Sequence, residues 1–111
     1  MADEMNPEDA KLVTLARSTR ARNGAAEGAA VRDDTGRTYA ASTVAVPSLQ
    51  LSALQAAVVM AVASGARGIE AGAIVSEADV PAAADRAALS DLGPGAPLHL
   101  AGLDGVVRVT A

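Results

Sequence analysis

The stretch of residues 48–65, SLQLSALQAAVVMAVASG, is the longest apolar segment of the chain and limits the folds that the chain can adopt. Ser48 follows Pro47 and is a suitable N-cap, the interior is rich in Ala and Leu, and Gly65 can end a helix in the left-handed conformation. Apolar residues surround nearly the whole helix axis, which predicts a central helix buried on most sides. Because the segment is short for a bilayer and carries two Gln, we expect no membrane span.

Shorter patterns on either side predict the remaining elements. Asn6 and Pro7 indicate a helix start and Asn23-Gly24 its end, while hydrophobic runs bounded by turn residues indicate strands. The predicted elements are helices over 7–22, 48–65 and 81–92 and strands over 27–32, 37–45, 68–76, 97–101 and 106–110. This order predicts an α/β fold of one domain, residues 1–111, built as a three-layer α/β/α sandwich with one mixed five-stranded sheet.

Composition restricts the chemistry of the chain. Its 111 residues include 28 Ala but no Phe, Trp or Cys, so the core must be aliphatic and neither a thiol nucleophile nor a thiolate metal site is available. The net charge of −4 argues against binding to nucleic acid or anionic membranes. Arg17, Arg20 and Arg22 could hold phosphate or RNA, but we interpret them as partners of the helix C-terminus. The acidic residues 1–11 do not resemble a secretory signal, and we expect a cytoplasmic protein.

Four local features occur in the order found in one known family. They are Gly28-Ala29-Ala30 in the first strand, an Asp-Gly-type hairpin, a buried Ser52-Ala53-Leu54 at the start of the central helix, and Pro81-Ala82-Ala83-Ala84-Asp85-Arg86 at the opening of the next helix. In these features the chain resembles the cytidine deaminase superfamily, and in particular the small homotetrameric nucleoside deaminases, shortened at the C-terminus. The Ala-rich composition is typical of a high-GC bacterial lineage.

The resemblance implies a zinc site that this sequence cannot form. The family signature places a His or Cys ligand two residues before a Glu, followed by P-C-x-x-C, which supplies two further ligands. By the resemblance, Ser52 occupies the first ligand position, Leu54 the Glu position, and Ala82 and Asp85 the two Cys positions. A neutral Ser is a poor ligand, Ala has no donor, and Leu cannot move a proton. We therefore expect no catalytic residue, no metal and no cofactor.

The substrate side of the family pattern is equally depleted. By the resemblance, Thr43 and Ala45 stand where the family holds the sugar with Asn-x-Glu, and Ala25 stands where an aromatic side chain flanks the base. A chain retained for its fold can lose the catalytic and the binding residues together. We expect these three positions to bind no substrate.

Two functions from different classes remain open. The first is a non-catalytic, structural or regulatory homo-oligomer, a dimer or tetramer formed through the helix over 48–65. The second is a cytidine deaminase or other hydrolase with an unrecognised site. His99 is the single histidine and any Ser-His-Asp arrangement must use it, but alternation with Leu98 and Leu100 indicates an ordinary strand histidine whose side chain is hydrogen-bonded or solvated.

Overall fold

The computed structural model describes residues 5–111, so the first four residues of the acidic N-terminal sequence lie outside the described part. The helices are α1 (Pro7–Asn23), α2 (Ala53–Ala63) and α3 (Ala83–Leu92). The strands are β1 (Gly28–Asp33), β2 (Thr38–Ser42), β3 (Val44–Val46), β4 (Leu49–Leu51), β5 (Ile69–Val75), β6 (Leu98–Ala101) and β7 (Val107–Thr110).

Five strands form one mixed sheet in the order β2-β1-β5-β6-β7. β5 and β6 pair in parallel, whereas the other three neighbouring pairs are antiparallel. α1 packs on one face with Leu12, Val13 and Ala16, and α2 and α3 cover the other face with side chains such as Leu54 and Leu89. The predicted three-layer α/β/α sandwich with one mixed five-stranded sheet is therefore confirmed.

β5 is the middle strand of the sheet, and its side chains are apolar towards both helical layers. Ala71, Ala73 and Val75 pack with α1, while Ile74 packs with α2 and α3. All residues from Ala71 to Val75 are buried, as the sequence predicted for this strand. Small side chains on β5 and β1 let both helical layers approach the sheet closely.

The predicted start of the central helix at Ser48 is wrong. Pro47 and Ser48 form the turn between β3 and β4, and α2 begins only after Ser52. The Ser52 hydroxyl accepts a hydrogen bond from the Gln55 N–H, and the Gln55 side chain accepts one from the Ser52 N–H. This reciprocal capping box satisfies two backbone donors, which fixes the helix start four residues later than predicted.

The predicted strand over 37–45 is divided in two. β2 ends at Ser42, which lies opposite Gly28, the first residue of β1. Beyond this point Thr43 bonds to the backbone of Glu27, and β3 pairs with β4 instead of the main sheet. Since β1 offers no further partner, the chain leaves the sheet and forms a separate two-stranded hairpin.

α2 is less buried than its sequence predicted. Leu54 and Val58 face the core, but Val59, Met60 and Val62 on the other side are 51%, 43% and 51% exposed. The expectation of burial on most sides is therefore wrong within one copy of the chain. Among residues 5–111, no helix is both long and apolar enough to cross a membrane.

Candidate site at the helix starts

The N-terminal ends of α2 and α3 meet at a hydrogen bond between Ser52 and Asp85. Ser52 is the N-cap of α2, and Asp85 lies in the first turn of α3. The Ser52 hydroxyl donates to Asp85 Oδ1 at 2.6 Å, and Asp85 is only 3% exposed. Two of the three predicted ligand positions are thus in direct contact, although they are far apart in sequence.

The other two positions of the family's zinc motif carry no polar group. Ala82 is the exposed N-cap of α3 and forms no side-chain cap. Leu54 is fully buried among the aliphatic side chains beneath α2. The predicted α3 start at Pro81 is two residues early, because Pro81 precedes the N-cap.

Glu27 belongs to the same polar cluster, although no pattern in the sequence singles it out. Its carboxylate lies near Asp85 and near the backbone N–H of Ala53, in the first turn of α2. Burial and the nearby Asp85 charge raise the pKa of Glu27 above its ordinary value of 4.5, and the nearby Ala53 N–H opposes this rise. In the sequence Glu27 is a single acid at the start of the predicted first strand, and only the packing of α2 on the sheet brings it to the start of α2.

Replacing Glu27 with Gln is expected to stabilise the fold at neutral pH. The pKa of Glu27 is higher in the folded protein than in the unfolded chain. Its ionisation therefore lowers the free energy of unfolding as the pH rises from the unfolded-state pKa through the folded-state pKa. The neutral amide of Gln does not ionise and avoids this loss of stability. The gain should be less than about 1 kcal/mol because the side chain is partly exposed and solvent screens the charge. Urea unfolding of both proteins should give a difference at neutral pH that vanishes well below pH 4.5.

Glu77→Gln provides the matched control, since Glu77 lies exposed in the loop after β5. It should change the free energy of unfolding little at either pH. An equal gain from Glu27→Gln and Glu77→Gln would show that only net charge matters and that Glu27 has no special environment.

The substrate positions named by sequence do not form a polar pocket. The Thr43 hydroxyl accepts a hydrogen bond from the Glu27 N–H at 3.1 Å, so its role is to join β1 to the end of β2. Ala45 is exposed on β3, and Ala25 is partly buried before β1. Neither alanine offers a hydrogen bond or an aromatic face to a nucleoside.

The residues present do not fit the zinc that the family resemblance implies. Asp85 is the one carboxylate among the three ligand positions, and one of its oxygens already accepts the Ser52 hydroxyl proton. Ala82 provides no donor atom. Within residues 5–111, no group of three His, Cys, Asp or Glu side chains is arranged to hold a metal ion. A tetrahedral zinc site needs at least three protein donors, and the family positions of this chain do not provide them.

A second polar network lies on the opposite face of the sheet, beneath α1. His99 is 6% exposed, and its Nε2 lies 2.9 Å from Asp9 Oδ2 while its Nδ1 lies 2.9 Å from Thr110 Oγ1. Arg32 lies 2.9 Å from Asp9 Oδ1 and 3.0 Å from Glu70 Oε1. The expected alternation is confirmed, since His99 faces α1 while its neighbours in β6 face α2 and α3.

Solved structures similar to this chain define its class as a deaminase-type α/β/α sandwich. A cytidine deaminase from Burkholderia pseudomallei has a TM-score of 0.79 at 25% identity, covering 96% of this chain and 92% of that one. A cytidine deaminase from Mycobacterium tuberculosis has a TM-score of 0.67 at 27% identity over 81% and 80% of the two chains. One from Mycobacterium leprae, at 22% identity, has a TM-score of 0.71 over 87% and 89%.

The family model for cytidine deaminase-like proteins matches residues 5–105. The chain therefore belongs to the cytidine deaminase-like family. A search of curated protein sequences gives no significant match.

Proposed function

We propose that this protein is a non-catalytic member of its family, with a structural or regulatory role as a homo-oligomer. The observation that carries the proposal is the 2.6 Å hydrogen bond between Ser52 and Asp85. It joins the starts of α2 and α3 directly, at the positions where the family motif requires a metal bridge. A Ser–Asp bond stabilises this junction without providing an activated water.

The surroundings of this bond support the same proposal. Leu54, at the position of the family's Glu, is fully buried in the apolar core and can neither accept nor donate a proton. The Thr43 hydroxyl is already bonded to the Glu27 backbone. The side chains of Ser52, Asp85, Leu54 and Thr43 thus contribute to folding. We propose that selection retained the fold rather than the reaction.

A deamination assay tests the proposal. The purified protein, supplied with zinc, should convert no cytidine to uridine beyond the rate of a buffer control, while an active family member in parallel confirms the assay. Measurable turnover that is lost on Ser52→Ala or Asp85→Asn would instead support the alternative function, a cytidine deaminase or other hydrolase with an unusual site.

The proposed oligomer uses α2 as its contact surface. Val59, Met60 and Val62 leave an apolar helix face uncovered in one copy of the chain. Residues 38–66 contain no Asp, Glu, Lys or Arg, so a contact made by this region desolvates no side-chain charge. A second copy of the same charge-free surface is the partner that best fits it, and a dimer or tetramer would result.

The β3–β4 hairpin supports self-association as well. Val46 and Leu49 are about half-exposed, and the hairpin is separate from the main sheet. A two-stranded hairpin on its own is only marginally stable in water. We propose that the hairpin gains support from a neighbouring copy.

The acidic net charge of −4 and the expected cytoplasmic location complete the proposal, in which neither nucleic acid nor a membrane is a partner.

Met60→Asp is expected to disrupt this assembly. The side chain is 43% exposed in one copy of the chain, so the variant should fold, but it would place a charge in the proposed apolar contact. Light scattering should show an oligomer for the wild type at micromolar concentration and a monomer, or at least a roughly 10-fold weaker association, for the variant.

Ala87→Asp, on the exposed side of α3, is the matched control and should leave the oligomer intact. A monodisperse wild-type monomer would contradict the proposed assembly. Equal association of the wild type and Met60→Asp would exclude this face of α2 as the contact.

A further inference from the structure

We propose that Thr110 is an activated hydroxyl that accepts an acyl group from an activated ester, with His99 as its general base. The three side chains of Asp9, His99 and Thr110 are joined in series by two hydrogen bonds of 2.9 Å. This constellation lies on the α1 face of the sheet, away from the junction of Ser52 and Asp85. It is independent of the proposed function, because it uses none of the residues at the starts of α2 and α3.

The hydrogen-bond partners determine the tautomer of His99. Asp9 is paired with the Arg32 guanidinium, so its carboxylate accepts hydrogen bonds. The His99 Nε2 atom must therefore carry a proton, which it donates to Asp9. In neutral imidazole the Nδ1 atom is then the acceptor, and the Thr110 hydroxyl donates to it. The hydroxyl proton therefore already points at the base that would remove it.

The remaining contacts hold this arrangement in place. Arg32 fixes Asp9 Oδ1 at 2.9 Å, leaving Oδ2 directed at His99. Glu70 accepts a hydrogen bond from Nε of the same guanidinium at 3.0 Å. Asp9 is thus a positioning residue. It orients the imidazole, as the carboxylate does in catalytic triads, although the two ring nitrogens are exchanged relative to the serine protease template.

Exposure of Thr110 lets an ester reach the nucleophile. Thr110 lies at the exposed end of β7, whereas His99 is buried behind it. In the reaction, Thr110 Oγ1 forms a bond to the acyl carbon as its proton moves to His99 Nδ1. The bond from the acyl carbon to the leaving oxygen or sulfur then breaks, and the leaving group takes the proton from Nδ1. Water solvates the oxyanion at this open edge, so the site suits donors with good leaving groups, namely aryl esters and thioesters.

Acetylation by p-nitrophenyl acetate, followed by peptide mass spectrometry, tests the proposal on the full chain. Thr110 in the folded wild type should be acetylated at least about 100-fold faster than in the same chain unfolded in urea, which is the usual scale of general-base catalysis. His99→Asn should remove this advantage, and Thr110→Val should remove the adduct. Lys11, the single lysine, provides an internal control because its exposed amine should react equally in every folded variant.

The Asp9→Asn variant tests whether Asp9 positions His99 for proton transfer or only stabilises the fold. The Asn amide can donate to Nε2, which shifts the proton to Nδ1 and removes the base, while Asp9→Glu should restore part of the rate. Equal acetylation of Thr110 in the folded and unfolded wild type would overturn the proposal. So would acetyl stably attached to His99 in place of Thr110, or an unchanged Thr110 rate in a folded His99→Asn protein.

Discussion

Replacing Ser52, Ala82 and Asp85 together with cysteine is expected to give a folded protein that binds one zinc ion tightly. Ser52 and Asp85 are already in contact, and Ala82, the N-cap of α3, lies three residues before Asp85. Three thiolates and one water complete a tetrahedral site. Structural zinc sites are worth on the order of 10 kcal/mol, so the variant should melt at a higher temperature with zinc and lose that gain with EDTA.

A variant with a misplaced third cysteine is the matched control for zinc uptake. This control contains the same number of thiols, introduced by Ser52→Cys, Asp85→Cys and Ala87→Cys. Residue 87 lies two residues beyond Asp85 and on another side of α3. It should bind zinc far more weakly. If the first triple variant folds but binds no zinc in elemental analysis, the correspondence of Ser52, Ala82 and Asp85 with the family ligands is wrong.

Zinc binding alone is not expected to restore deamination. Adding Leu54→Glu to the triple variant supplies a carboxylate at the position of the family's proton-transfer residue, but Leu54 packs in the apolar core and the change should also destabilise the fold. Thr43 and Ala45 would still give the ribose no partner of the family type. Tight zinc uptake with negligible cytidine turnover is therefore the expected combination. Rapid turnover by the quadruple variant would show that the substrate site is intact.

Gly28→Ala is expected to destabilise the protein strongly, although it adds only one methyl group. A Cβ atom on Gly28 would overlap the carbonyl oxygen of Ala16 and would lie 2.8 Å from Arg20 Cβ. Both contacts involve α1, which packs against β1 at this point, so a backbone segment must move. We expect a loss of at least about 3 kcal/mol in the free energy of unfolding, measured by urea denaturation with circular dichroism.

Gly95→Ala is the matched control for this prediction. Gly95 lies in the exposed turn before β6, where an added Cβ would meet nothing within 4 Å. That change should be neutral or stabilising by up to about 1 kcal/mol, because it restricts the unfolded chain. Similar unfolding free energies for both variants would mean that α1 does not pack closely against β1 at Gly28.

Local signals in the sequence identified most of the elements but misplaced the start of α2. Pro47-Ser48 and Ser52 both precede apolar residues, and each offers a plausible cap. The Gln55 side chain decides between them, because it reaches back to the Ser52 N–H. The spacing of Ser52 and Gln55 is visible in the sequence. The division of the predicted strand over 37–45 is not visible there, because it depends on where β1 begins and therefore on where the chain beyond Ser42 loses its partner strand.

The sequence also identified Ser52 and Asp85 as positions of one site, through the resemblance to a family motif. It could not show that their side chains bond to each other, because they lie at the starts of different helices and 33 residues apart. Glu27 was missed for a related reason. Its place beside Ala53 follows from the packing of α2 on the sheet, and no local pattern marks it.

Hydrophobic periodicity, turn residues and the order of elements by themselves determined the three-layer fold, because each of these signals acts over a few neighbouring residues. The absence of cysteine from the sequence is likewise sufficient to exclude a thiolate zinc site. Tertiary structure alone decided which face of α2 is left exposed, and it alone joined Asp9 to His99 across 90 residues. Such contacts depend on how the helices pack on the sheet, and packing is a property of the whole chain rather than of any segment.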